Sequence, residues 1–494
     1  MSKIAPNLSR PSVLLLISGM LLWSGCAVGP NYKRPAAPVP QVYKEQLPEG
    51  WKQAQPNEGA LRGKWWQIFN DPQLNALEDQ VNVNNQNVLQ AESVYREARD
   101  AARIARSALF PTVAGSFGAT RSRTSSNLGN AANRVNFISG TRNDFSLPVD
   151  ISYQADVWGA VRRNVTANVA SAQASAADLE NVRLIMHAQL AQLYFELRGL
   201  DANQDLLEHT VKSFEDYLQL TKDRFSVGIA SGSDVAQAQT QLETTRVQLI
   251  DVNVARSQDE HAIAILIGKP PSALSLAHQP LQAPPPAIPV AVPSTLLERR
   301  PDIASNERSV AAANEQIGIA KAAFFPTLNL SASGGVESTD ISKLLNWSSR
   351  FWSLGSNVAE TIFDAGKRRA QLDLERAAYD ATVSGYRQTV LTAFQQVEDQ
   401  LAALRILEQE AAAEENAVKA AHESLDISTA QYKAGTASYL QVLTAQTVAL
   451  QDETAAVNIL THRMTDSVLL VEALGGGWDA SKLPSRGDVL AGGK

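Results

Sequence analysis

A single cysteine in 494 residues, Cys26, rules out a disulfide framework. Histidine is scarce as well, and His187, His209, His261, His278, His422 and His462 are dispersed without the spacing of a metal-ligand set. No GxSxG elbow, HExxH helix or Walker loop occurs; Gly366-Lys367 lacks the upstream glycine and is followed by Arg368. Gly475-Gly476-Gly477 is read as a helix terminator rather than a phosphate loop. An enzyme reading therefore has no candidate residues, and neither cofactor nor metal is expected. An excess of basic charge is missing too. The 44 Lys and Arg against 51 Asp and Glu leave a net charge of −7, which gives no support to nucleic-acid binding. Beyond residue 25, no stretch is long and apolar enough for a membrane helix, which needs about 20 such residues.

What the chain does have begins at its N-terminus. Lys3 and Arg10 precede an apolar run from Val13 to Trp23 and the small residues Ser24 and Gly25, the pattern of a cleaved export signal. Removing residues 1–25 deletes two bases and no acid, so the remainder is more acidic. Cys26 follows the small residues directly and is expected to be the lipidated first residue of a bacterial lipoprotein. Trp23 departs from the leucine usual three places before such a cysteine. Ala27, rather than Asp, follows it, which resembles the signal for sorting to an outer membrane.

The rest of the chain is written twice. Val227-Gly228-Ile229-Ala230-Ser231 returns as Ala434-Gly435-Thr436-Ala437-Ser438, Gln239 as Gln446, and Leu266-Ile267-Gly268 as Ala473-Leu474-Gly475, each pair 207 positions apart. Leu109-Phe110-Pro111-Thr112 likewise reappears as Phe324-Phe325-Pro326-Thr327 at a spacing of 215. A period this long means two similar halves of one body, not a solenoid.

Each half carries the same order of elements. Asp71-Pro72 opens a helix expected to run to about Ala108, with Asp71 as cap and Pro72 at the first helical position. From Phe145 to Val157, apolar Phe145, Leu147, Val149, Ile151, Tyr153, Ala155 and Val157 alternate with mostly polar neighbours, a strand signal. Its partner runs from Pro111 to about Arg123, across a Ser-, Asn- and Gly-rich loop, Thr124–Asp144. Thr327–Val336 and Phe351–Phe363 fill the same places in the second half. Strands of about ten residues match tilted barrel strands in a membrane. Four cannot close a barrel, and an open sheet would leave unpaired backbone in lipid, so several chains must pool their strands.

The proline-free stretches Val161–Phe225 and Lys367–Tyr432 read as single helices about 100 Å long, rich in Ala, Gln, Glu and Leu. Each ends at a repeated glycine, Gly228 or Gly435, and a shorter helix returns, roughly Ser233–Ile267 and Ser438–Leu474. A segment with Pro270, Pro271, Pro280, Pro284, Pro285, Pro286, Pro289 and Pro293 joins the halves and should lie outside the helical body. The expected division is thus a signal (1–25), a lipidated tether (26–63), a first repeat (64–268), a proline-rich linker (269–295), a second repeat (296–478) and a tail (479–494).

Several motifs, in order, resemble the TolC-like outer membrane efflux channels, specifically their NodT-type lipoprotein branch. They are Gly25-Cys26-Ala27-Val28-Gly29-Pro30-Asn31-Tyr32-Lys33-Arg34-Pro35, Trp65-Trp66 with Phe69 and Asp71-Pro72, and Leu297-Glu298-Arg299-Arg300-Pro301-Asp302-Ile303. Ala322-Ala323-Phe324-Phe325-Pro326-Thr327 and Ala473-Leu474-Gly475-Gly476-Gly477-Trp478 complete the set. The resemblance implies a mainly α fold with a membrane β part: a homotrimer with a 12-stranded barrel, four strands per chain, continued by a periplasmic helical barrel. It implies the outer membrane of a Gram-negative bacterium, a periplasmic adaptor, and a proton-driven inner-membrane pump. Small-molecule export is then the expected function. A type I protein-secretion channel shares the architecture. A non-conducting coiled-coil scaffold lipoprotein shares the helices but has no use for the two strand hairpins.

Position assigns adaptor docking to the two turns, Val227, Gly228, Ile229, Ala230 and Ser231 with Ala434, Gly435, Thr436, Ala437 and Ser438. By resemblance, the gate falls on the second returning helix, where Leu440 matches an apolar ring. Thr444 stands where relatives often place Asp, and Asp234 in the first half is a substitute acid.

Overall fold

The structure, a computed structural model, describes residues 27–45, 63–123, 141–290 and 293–491. The export signal, Cys26 and residues 124–140 of the expected loop lie outside the described residues, and Thr141–Asp144, expected as the end of that loop, are strand because they pair with Thr120–Arg123. The first helix is two. Helix α1 (Pro72–Asn84) ends at Asn85, whose side chain accepts from the Asn87 and Val88 amides and so caps α2 (Gln86–Ser107). Asn85 also donates to the Leu266 carbonyl at 2.8 Å, so the break expected nowhere in 72–108 is fixed by a group far away in sequence. Asp71 caps α1 as expected, accepting from Gln73 and Leu74, and its second oxygen takes the Tyr194 hydroxyl at 2.6 Å.

The strands β1 (Thr112–Gly115), β2 (Gly118–Arg123), β3 (Thr141–Ala155), β4 (Thr327–Ser338) and β5 (Arg350–Ala359) form one antiparallel sheet. β1 and β2 are one line of chain with a gap. Gly115 pairs with Val149 and Gly118 with Ser146, the same register on both sides. The gap lies opposite Pro148, which accepts from the Ser116 amide at 3.2 Å but has no N–H to return. β3 pairs with β4 and β4 with β5, so β1/β2 and β5 are the two edges. The strand expected to reach Phe363 stops at Ala359, because its partner β4 begins at Thr327 after Pro326 and offers nothing further to pair.

Helix α3 (Ala160–Ser226, 67 residues) leaves the sheet and α4 (Gly232–Leu266) returns alongside it. In the second half α5 (Pro301–Ala322) leads into the sheet, and α6 (Lys367–Ala434, 68 residues) and α7 (Tyr439–Ala473) form the matching hairpin. At 1.5 Å per residue, α3 and α6 are each about 100 Å long. They carry many buried alanines, among them Ala172, Ala177, Ala188 and Ala393, which let neighbouring helices approach closely.

The main apolar core sits where the return helices end. It contains Trp65, Leu74, Leu190, Tyr194, Ile267, Tyr386, Val468 and Leu474. The proline-rich segment does not stay outside: Leu276, Ile288 and Val290 are buried in that core. Two arginines hold it there, Arg198 donating to the Ala277 carbonyl and Arg256 to the Leu276 carbonyl, and both also bind fully buried Asp201. Residues 27–45 run as a strap without helix or strand. Val28 donates to Trp158 at the foot of the sheet, Arg34 to Leu297, and the Lys44 and Glu45 amides to Glu398.

Candidate functional site: a membrane sheet and a helical tip

The sheet has two chemically different faces, and the ladder register assigns every side chain to one of them. Leu147, Val149 and Ile151 of β3 share a face with Val113, with Val336 and Leu330, and with Trp352, Leu354 and Val358. These are exposed: Trp352 is 79% and Leu354 76% accessible, far beyond what water tolerates as a continuous surface. The opposite face carries Ser152, Gln154, Asn329, Ser331, Ser333, Ser353 and Asn357. From Phe145 to Ala155 the apolar face covers about 34 Å of strand, which at a tilt of about 40° spans about 25 Å of hydrocarbon. Aromatic residues mark its inner end, where Trp158 stacks on Phe325 at 4.7 Å and donates to the Pro326 carbonyl. An apolar face outside and a polar face inside is the pattern of barrel wall. Among the described residues no helix is long and apolar enough to cross a membrane.

At the far end of the helices the two turns lie together. Gly228 and Gly435 both take left-handed backbone, φ 77° and 78°, and the bonds Ile229 N–H to Arg224 O and Thr436 N–H to Gln431 O close each helix in the same way. Beyond this frame the copies diverge. In the first, Ser231 and Asp234 form a capping box, with each side chain accepting the other's amide. In the second, Ser438 makes no cap bond and Gln441 stands in the place of Asp234. Phe225, Val227 and Ile229 project from the first turn, whereas the second is built of Ala434, Gly435, Thr436, Ala437 and Ser438.

A small core joins the two hairpins just above the turns: Phe214, Leu218, Ala238 and Leu242 against Tyr432, Tyr439 and Val442. Polar contacts cross the same seam. Arg224 donates to the Lys433 carbonyl at 3.1 Å and lies over the Tyr432 ring at 4.7 Å, and the Tyr217 and Thr429 hydroxyls bond at 2.8 Å. Burial, with Tyr432, Tyr217 and Asp234 nearby, pushes the Tyr439 phenol up to about 12. Asp234 is therefore near Tyr439 but committed to its cap. Leu440 and Thr444 sit one turn apart on one face of α7, and the Thr444 hydroxyl donates to the Leu440 carbonyl. With Val448 they line a groove of about 540 Å³ against Ala421, Ser424 and Ser428 of α6.

Comparison with known proteins decides the class. The outer membrane efflux protein family matches residues 77–269 and 292–476. The chain belongs to that family. It is 31% identical over 469 residues to the toluene efflux pump outer membrane protein TtgC of Pseudomonas putida, covering 94% of this chain and 96% of that one. It is 29% identical over 475 residues to the pyoverdine export outer membrane protein OpmQ of Pseudomonas aeruginosa, covering 95% and 98%. The crystal structure of the Campylobacter jejuni CmeC outer membrane channel superposes with a TM-score of 0.86 at 26% identity, over 92% of this chain and 96% of that one. The efflux channel therefore has the TolC-like fold, sits in the outer membrane and extends into the periplasm.

The residues that join the hairpins of this efflux channel were not singled out by sequence reading. Their signal lay in the mismatches of the repeat. Arg224 corresponds to Gln431, Phe225 to Tyr432 and Gly232 to Tyr439. At these positions the duplicated frame departs from itself, and Arg224, Tyr432 and Tyr439 are among the residues that meet across the seam.

Proposed function

We propose that three copies of this chain form a continuous conduit, each giving four strand lines to a 12-stranded barrel and two helical hairpins to a periplasmic tube. The observation that carries this reading is the sheet, whose apolar outer face demands lipid while, among the described residues, both of its edges, β1/β2 and β5, stand unpaired. The conduit supplies no energy and performs no bond chemistry. An inner-membrane pump, driven by protons, supplies cargo, and a periplasmic adaptor docks on the turns at Val227–Ser231 and Ala434–Ser438. Cys26 carries the lipid. Its neighbour Ala27 packs beside Gly159 at the foot of the sheet, the level at which an acyl chain enters the inner leaflet. TtgC and OpmQ are named for cargoes as unlike as toluene and pyoverdine, which supports a wall that does not select its cargo.

The test is complementation of a strain lacking the channel but retaining its pump and adaptor. Gly228→Asp with Gly435→Asp should abolish export while the trimer still forms; normal export would remove the turns from docking. For the gate, Leu440→Gly should raise single-channel conductance in a planar bilayer, and an unchanged trace would remove Leu440 from it.

A further inference from the structure

The outward face of the sheet ends in polar residues at a definable line. On β2 it passes from Ala119 to Arg121, on β3 from Phe145 to Asn143, on β4 from Val336 to Ser338, and on β5 from Trp352 to Arg350. Ala119 pairs with Phe145, so the line is level across those two strands. Phe145 pairs with Ser338, however, and Val336 with Arg350, so the line slips two residues at β4 and two more at β5. A slip of two residues at each of the steps to β4 and β5, relative to the hydrogen-bond direction, is the stagger that tilted barrel strands require. The line therefore marks one height in the membrane, and Arg121 and Arg350 are the first residues outside the apolar band at that height.

Arg121 and Arg123 lie on one edge of the sheet and Arg350 on the other. All three are exposed, and among the described residues no carboxylate pairs with any of them. The nearest acid in the β4–β5 loop, Asp340, is taken by the Ser342 amide and hydroxyl and faces Lys343. Arg350 stacks at 3.4 Å over exposed Trp347 of the β4–β5 loop, and exposed Trp352 and Leu354 follow it on the same face of β5 toward the membrane. A guanidinium held over an aromatic ring next to exposed apolar side chains is dressed for an amphiphile with an anionic head.

We infer that closing the barrel builds a binding site for the phosphorylated glycolipid of the outer leaflet, with Arg350 of one protomer beside Arg121 and Arg123 of the next. The site rests on the trimeric barrel proposed above, since it exists only where two edges meet, and it recurs three times around the wall. Arginine forks suit the phosphate, each offering paired N–H donors to its oxygens. The apolar band immediately below the line, with Trp352 and Leu354 exposed on the same face of β5, takes the acyl chains.

The experiment is native mass spectrometry of the full-length channel in detergent, with diphosphoryl lipid A as probe and its dephosphorylated form as control. The wild-type trimer should retain up to three molecules of the phosphorylated probe and at least tenfold less of the control. Arg350→Ser alone, and Arg121→Ser with Arg123→Ser, should each cut retention about tenfold, because each removes one side of a shared site. Unchanged retention by the triple variant in an intact trimer would overturn the inference, as would equal retention of both probes. A spectrum containing monomer alone would remove the closure itself, and the site with it.

Discussion

Replacing Arg224 with alanine tests whether the seam between the two hairpins holds the tip closed. The side chain makes one charged hydrogen bond, to the Lys433 carbonyl at 3.1 Å, and lies 4.7 Å above the Tyr432 ring. A hydrogen bond from a charged donor contributes about 1.5 kcal/mol at the low end suited to this half-exposed position. The cation–π contact adds about 0.5 kcal/mol. A loss of about 2 kcal/mol corresponds to a shift of roughly 30-fold in a two-state equilibrium. The fold itself should survive, because the apolar contacts among Phe214, Leu218, Leu242, Tyr439 and Val442 remain. Recorded in planar bilayers, the variant channel should spend at least tenfold more time open. In cells lacking their own channel it should admit large antibiotics that the wild type excludes. An unchanged open fraction in a properly assembled variant would refute the idea that this seam governs the tip.

Three further outcomes are expected. Gly335→Val should block barrel assembly, because a Cβ at Gly335 would strike the Leu147 carbonyl and the Pro148 Cα, whereas Gly334→Ala meets only ordinary contacts and should insert normally in an outer-membrane fractionation assay. Arg163→Ala should destabilise the channel by about 3 kcal/mol, since it leaves the Glu315 carboxylate, now 2.7 Å from the guanidinium, buried without a counter-charge and with only the Asn314 amide at 3.4 Å, and releases the Val28 carbonyl; faster protease cleavage within residues 27–45 would report it. Burial, reinforced by Arg183, lowers the His187 imidazole to about 4, while burial raises its partner Glu78 well above the usual carboxylate range, so the pair is held neutral beneath Trp66. The lowered imidazole contributes stability that is complete above about 6.5 and lost as pH falls toward 4, whereas the raised Glu78 carboxyl contributes in the opposite direction as pH falls toward the usual carboxylate range. His187→Phe removes the imidazole's contribution and keeps the carboxyl's, so its melting temperature should rise relative to the wild type's as pH falls from about 6.5 toward 4.

The long helices were legible because nothing in either proline-free stretch interrupts them, and their ends were legible because only glycine is at ease in a left-handed cap. The break at Asn85 was not, since its cause is a carbonyl at Leu266 supplied by tertiary folding. The overrun at Phe363 has the same character. Ile362 and Phe363 continue an apolar run, but a strand is defined by its partner, and β4 has none to offer beyond Thr327. At the tip, the turns carried a repeated signature, whereas the seam showed only as departures from the repeat. Arg224 reaches across 209 residues to Lys433, a distance that no local pattern records.

The strap at residues 27–45 also sets a timetable. It is among the first parts of the chain to be synthesised, yet most of its polar partners, Leu297, Glu307, Asn314, Tyr386, Glu398 and Arg405, lie 263 to 360 positions downstream. Contacts so remote in sequence form late, after the intervening chain has been made and packed. The strap therefore cannot be fully seated by an unfinished or truncated chain. Its docking works as a completeness check: a bound strap means that the second half has arrived and folded.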